Sequence, residues 1–332
     1  MNTNKKRKFG LGYKGDGDDG DSTTQNTVMN HYDARPAHSR QGFYRSSIAA
    51  IKKLNSWTKA CLVNQFCKAN YKVLELCAGK GQEAAKYDNK HFTVNEVIWM
   101  DISAQSIREA YQRITKDKRK YKSQFLAGDC FQVNIFSSDI LGSHNLYTFD
   151  LVSCQMAFHY CFESEIKARC MLYNISSALK LNGFFIATLP NYNRVRQKLD
   201  HSYKTDIITL KWDYYPNFGA RYKFTLKDAI KSCPEYLVHI PLVEQLAKEY
   251  GLQLVKEHTI PFNKYHHIQL SSNPIAQDLY NKMKVPKKDS IDIKQWEAYD
   301  LYQTMVFKKV KQIDGISNNI PSFQKHTIEN DP

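Results

Sequence analysis

The sequence predicts a doubly wound α/β domain, and three observations carry that expectation. An apolar strand, Val73-Leu74-Glu75-Leu76, runs straight into a glycine-containing turn, Cys77-Ala78-Gly79-Lys80-Gly81. A second apolar strand, Val97-Ile98-Trp99-Met100, ends in Asp101. Glycines at such a turn let a ligand approach the backbone, and a carboxylate about twenty residues further on is placed to accept from ribose hydroxyls. The third observation is that the pattern continues: Phe125-Leu126-Ala127-Gly128-Asp129 is another short strand tipped by an acid, Phe149 to Gln155 a fourth strand and Asn182 to Thr188 a fifth.

In chain order, residues 1–28 are rich in Lys, Gly, Asp, Ser and Thr. They have too little apolar content to repay the entropy of ordering, so a disordered basic arm is expected there. Within it, Lys5-Lys6-Arg7-Lys8 is a candidate localisation or RNA-contacting patch. Apolar residues at three- and four-residue steps from Ile48 to Phe66 predict one or two helices before the first strand. Ser106 to Lys120 reads as an amphipathic helix with a strongly basic exposed face. Glu163 to Leu181 reads as another, ended by Gly183 as helices often are. The aromatics and prolines of residues 190–250 predict a lid or insert outside the sheet. Leu252 to Ile260 and Leu301 to Val310 are strand-like, and residues 312–332 form a polar tail. The folded domain is therefore expected over 29–311.

Composition bounds the function. A chain of 332 residues with 42% hydrophobic content can bury a full core. Its 47 Lys plus Arg against 33 Asp plus Glu leave a net charge of +14, which favours an anionic partner such as nucleic acid. The 8 cysteines form no C-x-x-C pair and no His-spaced cluster, so they read as reduced thiols of an intracellular protein rather than a zinc site or a disulfide frame. No apolar run has the length of a membrane span, and the polar N-terminus does not read as a secretory signal. The glycine turn leaves the nucleoside open: Ala84 stands where a dinucleotide site has its third glycine, a replacement that NAD sites tolerate.

Glu75-x-x-x-Gly79-x-Gly81 resembles motif I of the S-adenosylmethionine-dependent methyltransferases. Further stretches narrow the resemblance. Leu54-Asn55-Ser56-Trp57-Thr58-Lys59 precedes the first strand, and Gln155-Met156-Ala157-Phe158-His159-Tyr160-Cys161-Phe162-Glu163-Ser164 follows the fourth. Pro234-Glu235-Tyr236-Leu237-Val238 lies in the insert, and Trp296-Glu297-Ala298-Tyr299-Asp300-Leu301-Tyr302 precedes the last strand. Together they resemble the eukaryotic messenger RNA cap guanine-N7 methyltransferases across roughly residues 31–310. The His-Tyr stretch is highly specific and the glycine turn is not.

The resemblance implies a Rossmann-like, mostly parallel seven-stranded sheet with an antiparallel last strand, helices on both faces and an insertion on the cap side. It implies methyl transfer from S-adenosylmethionine to guanine N7 of the cap by a monomeric nuclear enzyme, with capped RNA as its partner. A capping enzyme, RNA polymerase or activating subunit would be the protein partners, and no membrane or metal is involved. Donor-binding roles carry over to Lys59 (methionine carboxylate), Cys77 and Gly79 (the turn), Asp101 (ribose), Asp129 (adenine amino group), Gln155 (beside the methionine) and Tyr160. Cap-binding roles carry over to Glu235 (guanine N1–H and N2–H2), His159 (the O6 side), Tyr302, Asn55 and Ser56, and, for the triphosphate, Lys80, Lys86 and Arg113. The chain departs from the family twice. Cys77 replaces the first glycine of Leu-Gly-Cys-Gly-Lys-Gly, so a side chain stands where the resemblance implies close approach of the donor to the backbone. Ser56 replaces the second asparagine of Asn-Asn-Trp, so that contact must be shorter or water-bridged.

The chemistry asks little of acids and bases. Guanine N7 has a lone pair and no proton, so no general base is needed. In-line positioning can account for about 7–11 kcal/mol of barrier. No residue is therefore expected to act as acid or base. Three other readings stay open: a catalytically silent cap-binding subunit, a nicotinamide oxidoreductase, and a methyltransferase acting on another substrate. The presence of Lys59, Asp101 and Asp129 disfavours the first, the unexplained His159 to Ser164 stretch the second, and the +14 charge the third.

Overall fold

A computed structural model describes residues 27–30, 33 and 46–312, apart from 138, 202, 215 and 217. In chain order the main elements are helix α1 (Ala49–Phe66), strands β1 (Lys72–Leu76) and β2 (Glu96–Asp101), helix α2 (Ala104–Lys116), β3 (Lys122–Ala127), β4 (Phe149–Gln155), α3 (Glu165–Ala178), β5 (Leu179–Pro190) and α4 (Tyr192–Asp200). There follow β6 (Ile208–Tyr214), β7 (Arg221–Leu226), β8 (Ile230–Tyr236), α5 (Ile240–Glu249), β9 (Leu252–Leu254), α6 (Phe262–Ser272), α7 (Pro274–Lys282), α8 (Ile293–Tyr299) and β10 (Tyr302–Lys309).

Seven strands make the central sheet in the order β3-β2-β1-β4-β5-β10-β9. Strands β1 to β5 pair in parallel, and β10 runs antiparallel to both β5 and β9. The sheet is thus the doubly wound one expected, reversed only at its next-to-last strand. Alternation along the strands splits the core in two. Val73, Val97 and Trp99 point to one layer with Trp57 and Leu62 of α1, while Leu74, Leu76, Ile98 and Met100 point to the other with Met171 and Leu172 of α3. Strands covered on both faces read as near-continuous apolar runs, which is why β1, β2 and β4 stand out in the sequence.

Local chemistry fixes the parts nearest the turn. Ser103 caps α2, its side chain accepting from the amide of Ser106 at 2.9 Å. The helix buries Ile107, Ala110 and Ile114, the apolar stripe its periodicity predicts. Gly81 is required by this packing: with φ at 67°, a Cβ there would sit 3.0 Å from the Cβ of Ala110.

The insert is a second, three-stranded antiparallel sheet, β6-β7-β8. It is smaller than the expected 190–250 segment, because α5 returns to the main domain and buries Val243, Leu246 and Ala247 there. Three boundaries also differ. Helix α2 stops at Lys116 rather than Lys120. Helix α3 ends at Ala178, and Gly183 does not cap it: Leu179 is fully buried and already pairs with Phe149 of β4, so strand pairing takes over the backbone four residues earlier. Only Leu252–Leu254 of the stretch to Ile260 is strand, since a 3-10 turn at Lys256–His258 follows. The basic patch at Lys5–Lys8 and residues 313–332 of the expected tail lie outside the described residues. No described helix is long and apolar enough to cross a membrane.

Candidate active site

The carboxyl ends of β1, β2, β3 and β4 meet at the glycine turn, where a doubly wound sheet places its ligands. Cys77 leaves β1 in the left-handed region, at φ 55°. The Ala78 amide then donates to the carbonyl of Met100 at 2.9 Å, tying the turn to β2. Gly79, at φ 51°, has nothing within 4 Å of where a Cβ would be, so open space lies over the backbone. Asp101 closes this side: its carboxylate accepts from the Gly79 amide at 2.8 Å and the Ser103 amide at 2.9 Å. Burial and the nearby Cys77 raise its pKa to about 7, against those two hydrogen bonds. Asp129 is buried at the tip of β3 and accepts from the Phe131 amide at 2.9 Å.

The cations around the turn form two groups. Lys80 pairs with Glu109 of α2 at 2.7 Å, and Arg113 donates from Nε to the Lys80 carbonyl at 2.8 Å. Lys86, expected with them, instead meets Lys59: the two ammonium groups clasp Glu83, with Lys86 at 2.7 Å. Burial would raise Glu83, but the charges of Lys59 and Lys86 win and hold it down at about 2. Burial pulls Lys86 below its ordinary value against the pull of Glu83. On the face of α1, Asn55 keeps a buried side-chain oxygen with no hydrogen-bond partner among the described residues, beside the half-buried Ser56. An orphaned acceptor of that kind is a place where a ligand donor fits.

Strand β4 hands over to the second half of the site. Gln155 is fixed within the protein, donating to Ser153 Oγ and accepting from Thr188 Oγ1, both at 3.0 Å. The 3-10 turn Phe158–Glu163 that follows buries His159 and leaves Tyr160 half-buried, their rings 4.2 Å apart. Across from them, β8 presents Glu235. His159 Nε2 lies 3.9 Å from Glu235 Oε1, and neither ring nitrogen has a hydrogen-bond partner among the described residues. Burial alone lowers the imidazole to about 3, so it is neutral and the two groups are not an ion pair. Burial likewise raises Glu235 to about 7, while a hydrogen bond from Tyr222 opposes the rise. Tyr160 Oη lies 3.8 Å from Cys233 Sγ, two residues before Glu235. Tyr302, buried at the start of β10, stacks at a tilt 6.0 Å from Phe262 and lies within electrostatic reach of Tyr222.

Two participants escape a reading of the sequence alone. Tyr222 donates to Glu235 Oε2 at 2.6 Å, and the register of β7 on β8 puts the two directly opposite each other. Strand alternation through Tyr222-x-Phe224 was the available signal, but only the hairpin register selects its partner. Glu83 was visible as a neighbour of Lys86 three residues on, yet its second partner, Lys59, comes from another helix.

The mRNA (guanine-N(7))-methyltransferase domain profile matches residues 17–310. The mRNA cap guanine-N(7) methyltransferase of Drosophila melanogaster is 29% identical, covering 90% of this chain and 80% of its own length. The mRNA cap guanine-N(7) methyltransferase 1 of Arabidopsis thaliana is 30% identical over 89% of this chain and 85% of its own. Among solved structures, the PH0226 protein of Pyrococcus horikoshii superposes with a TM-score of 0.51 at 16% identity, covering 84% of this chain and 98% of its own, which supports the sheet architecture alone. With one profile spanning the glycine turn, the His-Tyr turn and the β8 carboxylate together, the chain belongs to the mRNA (guanine-N(7))-methyltransferase family, whose members draw their methyl group from S-adenosylmethionine.

Proposed function

We propose that this chain methylates N7 of the guanine in the 5′-5′ triphosphate cap of messenger RNA, as a nuclear monomer with the capped RNA end as its partner. One observation carries the reading. A buried carboxylate, Glu235, sets its Oε1 3.9 Å from a neutral, buried imidazole whose two nitrogens have no hydrogen-bond partner among the described residues, just past the end of the same strand β4 that borders the Gly79 and Asp101 cradle. An acceptor and a donor a few ångströms apart match the N1–H, N2–H2 and O6 edge of guanine and mismatch adenine.

The donor fits the cradle, since the space over Gly79 is open and Asp101 offers lone pairs beside it. In this reading Asp101 holds the ribose and Asp129 the adenine amino group, and Gln155 and Lys59 lie toward the methionine. S-adenosylmethionine, when bound, supplies an electrophilic methyl carbon on a sulfonium sulfur. The chain's own residues then orient and desolvate. His159 and Glu235 fix the guanine plane, Tyr160 and Tyr302 pack against it, Asn55 and Ser56 border it, and water is excluded by the buried walls. An ionised Glu235 would stabilise the positive charge of an N7-methylated guanine. No residue exchanges a proton with N7.

Incubating the pure protein with labelled donor and GpppG-capped RNA, then digesting to nucleosides, tests the assignment. Label is expected on guanine N7 alone. Label on a ribose 2′ oxygen, or none with donor binding confirmed, refutes it and leaves a different substrate or a silent cap-binding subunit.

The triphosphate is assigned to Lys80 and Arg113, which the turn and α2 bring together, while Lys86 is buried on Glu83 beside Lys59, apart from them. Arg113→Ala is expected to weaken cap binding and to flatten its dependence on salt, because each phosphate contact removed lowers the logarithmic slope by about one. Titrations at several salt concentrations read both effects. An unchanged slope would leave Arg113 with only its hydrogen bond to the Lys80 carbonyl.

A further inference from the structure

Three thiols converge beneath the donor cradle, and the proposed chemistry uses none of them. Cys77 Sγ lies 3.8 Å from Cys130 Sγ, and both also face Cys154 of β4. Cys77 is half-buried at the mouth of the turn, whereas Cys130 and Cys154 are buried. Each belongs to a part that the donor reading uses: Cys77 opens the glycine turn, and Cys130 follows Asp129 directly. The described residues hold no group of side chains that could bind a metal there. A half-buried cysteine with a buried neighbour within 4 Å is the arrangement of an oxidisable cysteine and its resolving partner.

We propose that Cys77 and Cys130 form a dithiol site that hydroperoxides oxidise to a disulfide, shutting the donor cradle. Cys77 attacks as thiolate; the hydrogen bonds from Cys130 and Cys154 hold its pKa well below the ordinary thiol range, against burial. Its sulfur takes the terminal peroxide oxygen, releasing one water from hydrogen peroxide and leaving a sulfenic acid. Cys130 sulfur then displaces that oxygen as a second water, forming the S–S bond. Two thiols lose two electrons and two protons, and one peroxide becomes two waters. Closing the sulfurs from 3.8 Å to a bond of about 2.05 Å drags the β1 turn and the Asp129 segment together. The Ala78 and Gly79 amides tie the turn to β2, and the Gly128 amide, donating to the Asp101 carbonyl at 2.8 Å, ties the Asp129 loop to the same strand, so the closure displaces backbone on both sides of the cradle.

The effect on donor affinity rests on the donor placement proposed above; the dithiol itself does not. The test treats the full chain with a small excess of hydrogen peroxide. It then reads the Cys77–Cys130 link by fragmentation mass spectrometry, and S-adenosylhomocysteine affinity by calorimetry before oxidation, after it, and after dithiothreitol. A Cys77–Cys130 link, an affinity loss of tenfold or more and full recovery on reduction are expected. Cys130→Ser should bind like the parent when reduced and, under peroxide, carry added oxygen on Cys77 without the disulfide, with Cys130→Ala as the second variant should serine disturb packing. Peroxide treatment without a link, or a link to Cys154 that persists in Cys130→Ser, overturns the dithiol. A Cys77–Cys130 link that leaves affinity unchanged overturns the cradle closure and the donor placement instead.

Discussion

Replacing Glu235 by Gln is expected to reduce methylation of capped RNA by at least about 100-fold while leaving donor affinity unchanged. The charge behind the hydrogen bonds to guanine is lost and one acceptor oxygen becomes a donor, at about 1.5–3 kcal/mol for a charge-assisted bond plus about 1–3 kcal/mol for a donor left facing a donor, and about 1.4 kcal/mol is a factor of ten. The amide also points a donor at N1–H or N2–H2 at a site where Glu235 is only 3% exposed. Shape is preserved, so a loss reports hydrogen-bond polarity and not packing. A Glu235→Gln protein that binds and methylates cap like the parent would return Glu235 to a structural role as the acceptor for Tyr222.

The same pocket sets a pH dependence. Burial raises the Glu235 carboxyl to about 7 against the hydrogen bond from Tyr222. The groups facing it are Tyr222 on β7 and His159 on the turn after β4, while Tyr160 reaches Cys233, two residues earlier, and Tyr302 lies near Tyr222. His159, lowered to about 3, stays neutral throughout, which leaves Glu235 as the group that titrates. Cap affinity should therefore climb as pH rises toward about 7 and level off above it, since only the ionised form accepts from guanine. Stability runs the other way. The folded state holds this proton more tightly than the unfolded chain, so stability falls as pH rises from the ordinary carboxyl value to about 7 and is flat beyond. Tyr222→Phe removes the bond that favours the ionised form and should move the midpoint of the cap-binding profile upward, a change that a merely packed tyrosine would not produce.

How much of this was legible in the sequence depends on how local each signal is. Strands β1, β2 and β4 were readable because both faces are covered and their apolar runs are unbroken. The glycine turn and Asp101 were readable because the spacing between them is set by one β-turn-β unit. What failed was contact between distant segments. Lys59 and Lys86 are 27 positions apart and share Glu83, which no spacing rule links. The end of α3 was misplaced because Leu179 has its strand partner, Phe149, 30 residues earlier, and pairing outweighs the stop that Gly183 suggests. Tyr222 was missed for the same reason, since the hairpin register that opposes it to Glu235 is fixed by the pairing of the whole insert.

Asp101→Ala is expected to weaken donor binding by about 1–3 kcal/mol, or roughly 5- to 150-fold, since a ribose loses a charge-assisted acceptor pair. Asp101 also has work inside the protein: it accepts from the amides of Gly79 and Ser103, so its removal loosens the turn as well. Asp101→Asn removes the charge but keeps only one acceptor oxygen, and the Gly79 and Ser103 amides use different oxygens, so it disturbs one of the two contacts and magnitude alone does not divide the loss. A second readout is independent of magnitude. Burial, helped by the charge of Cys77, raises Asp101 to about 7 in the free protein, whereas ribose hydroxyls donating to it favour the ionised form. Donor binding below that pH must then expel a proton. Calorimetry at a pH of about 6 in buffers of different ionisation enthalpy should show close to one proton released by the parent and none by Asp101→Asn. Equal release by both would place the titrating group elsewhere, and unchanged donor affinity in a folded Asp101→Ala protein would remove the ribose from this carboxylate.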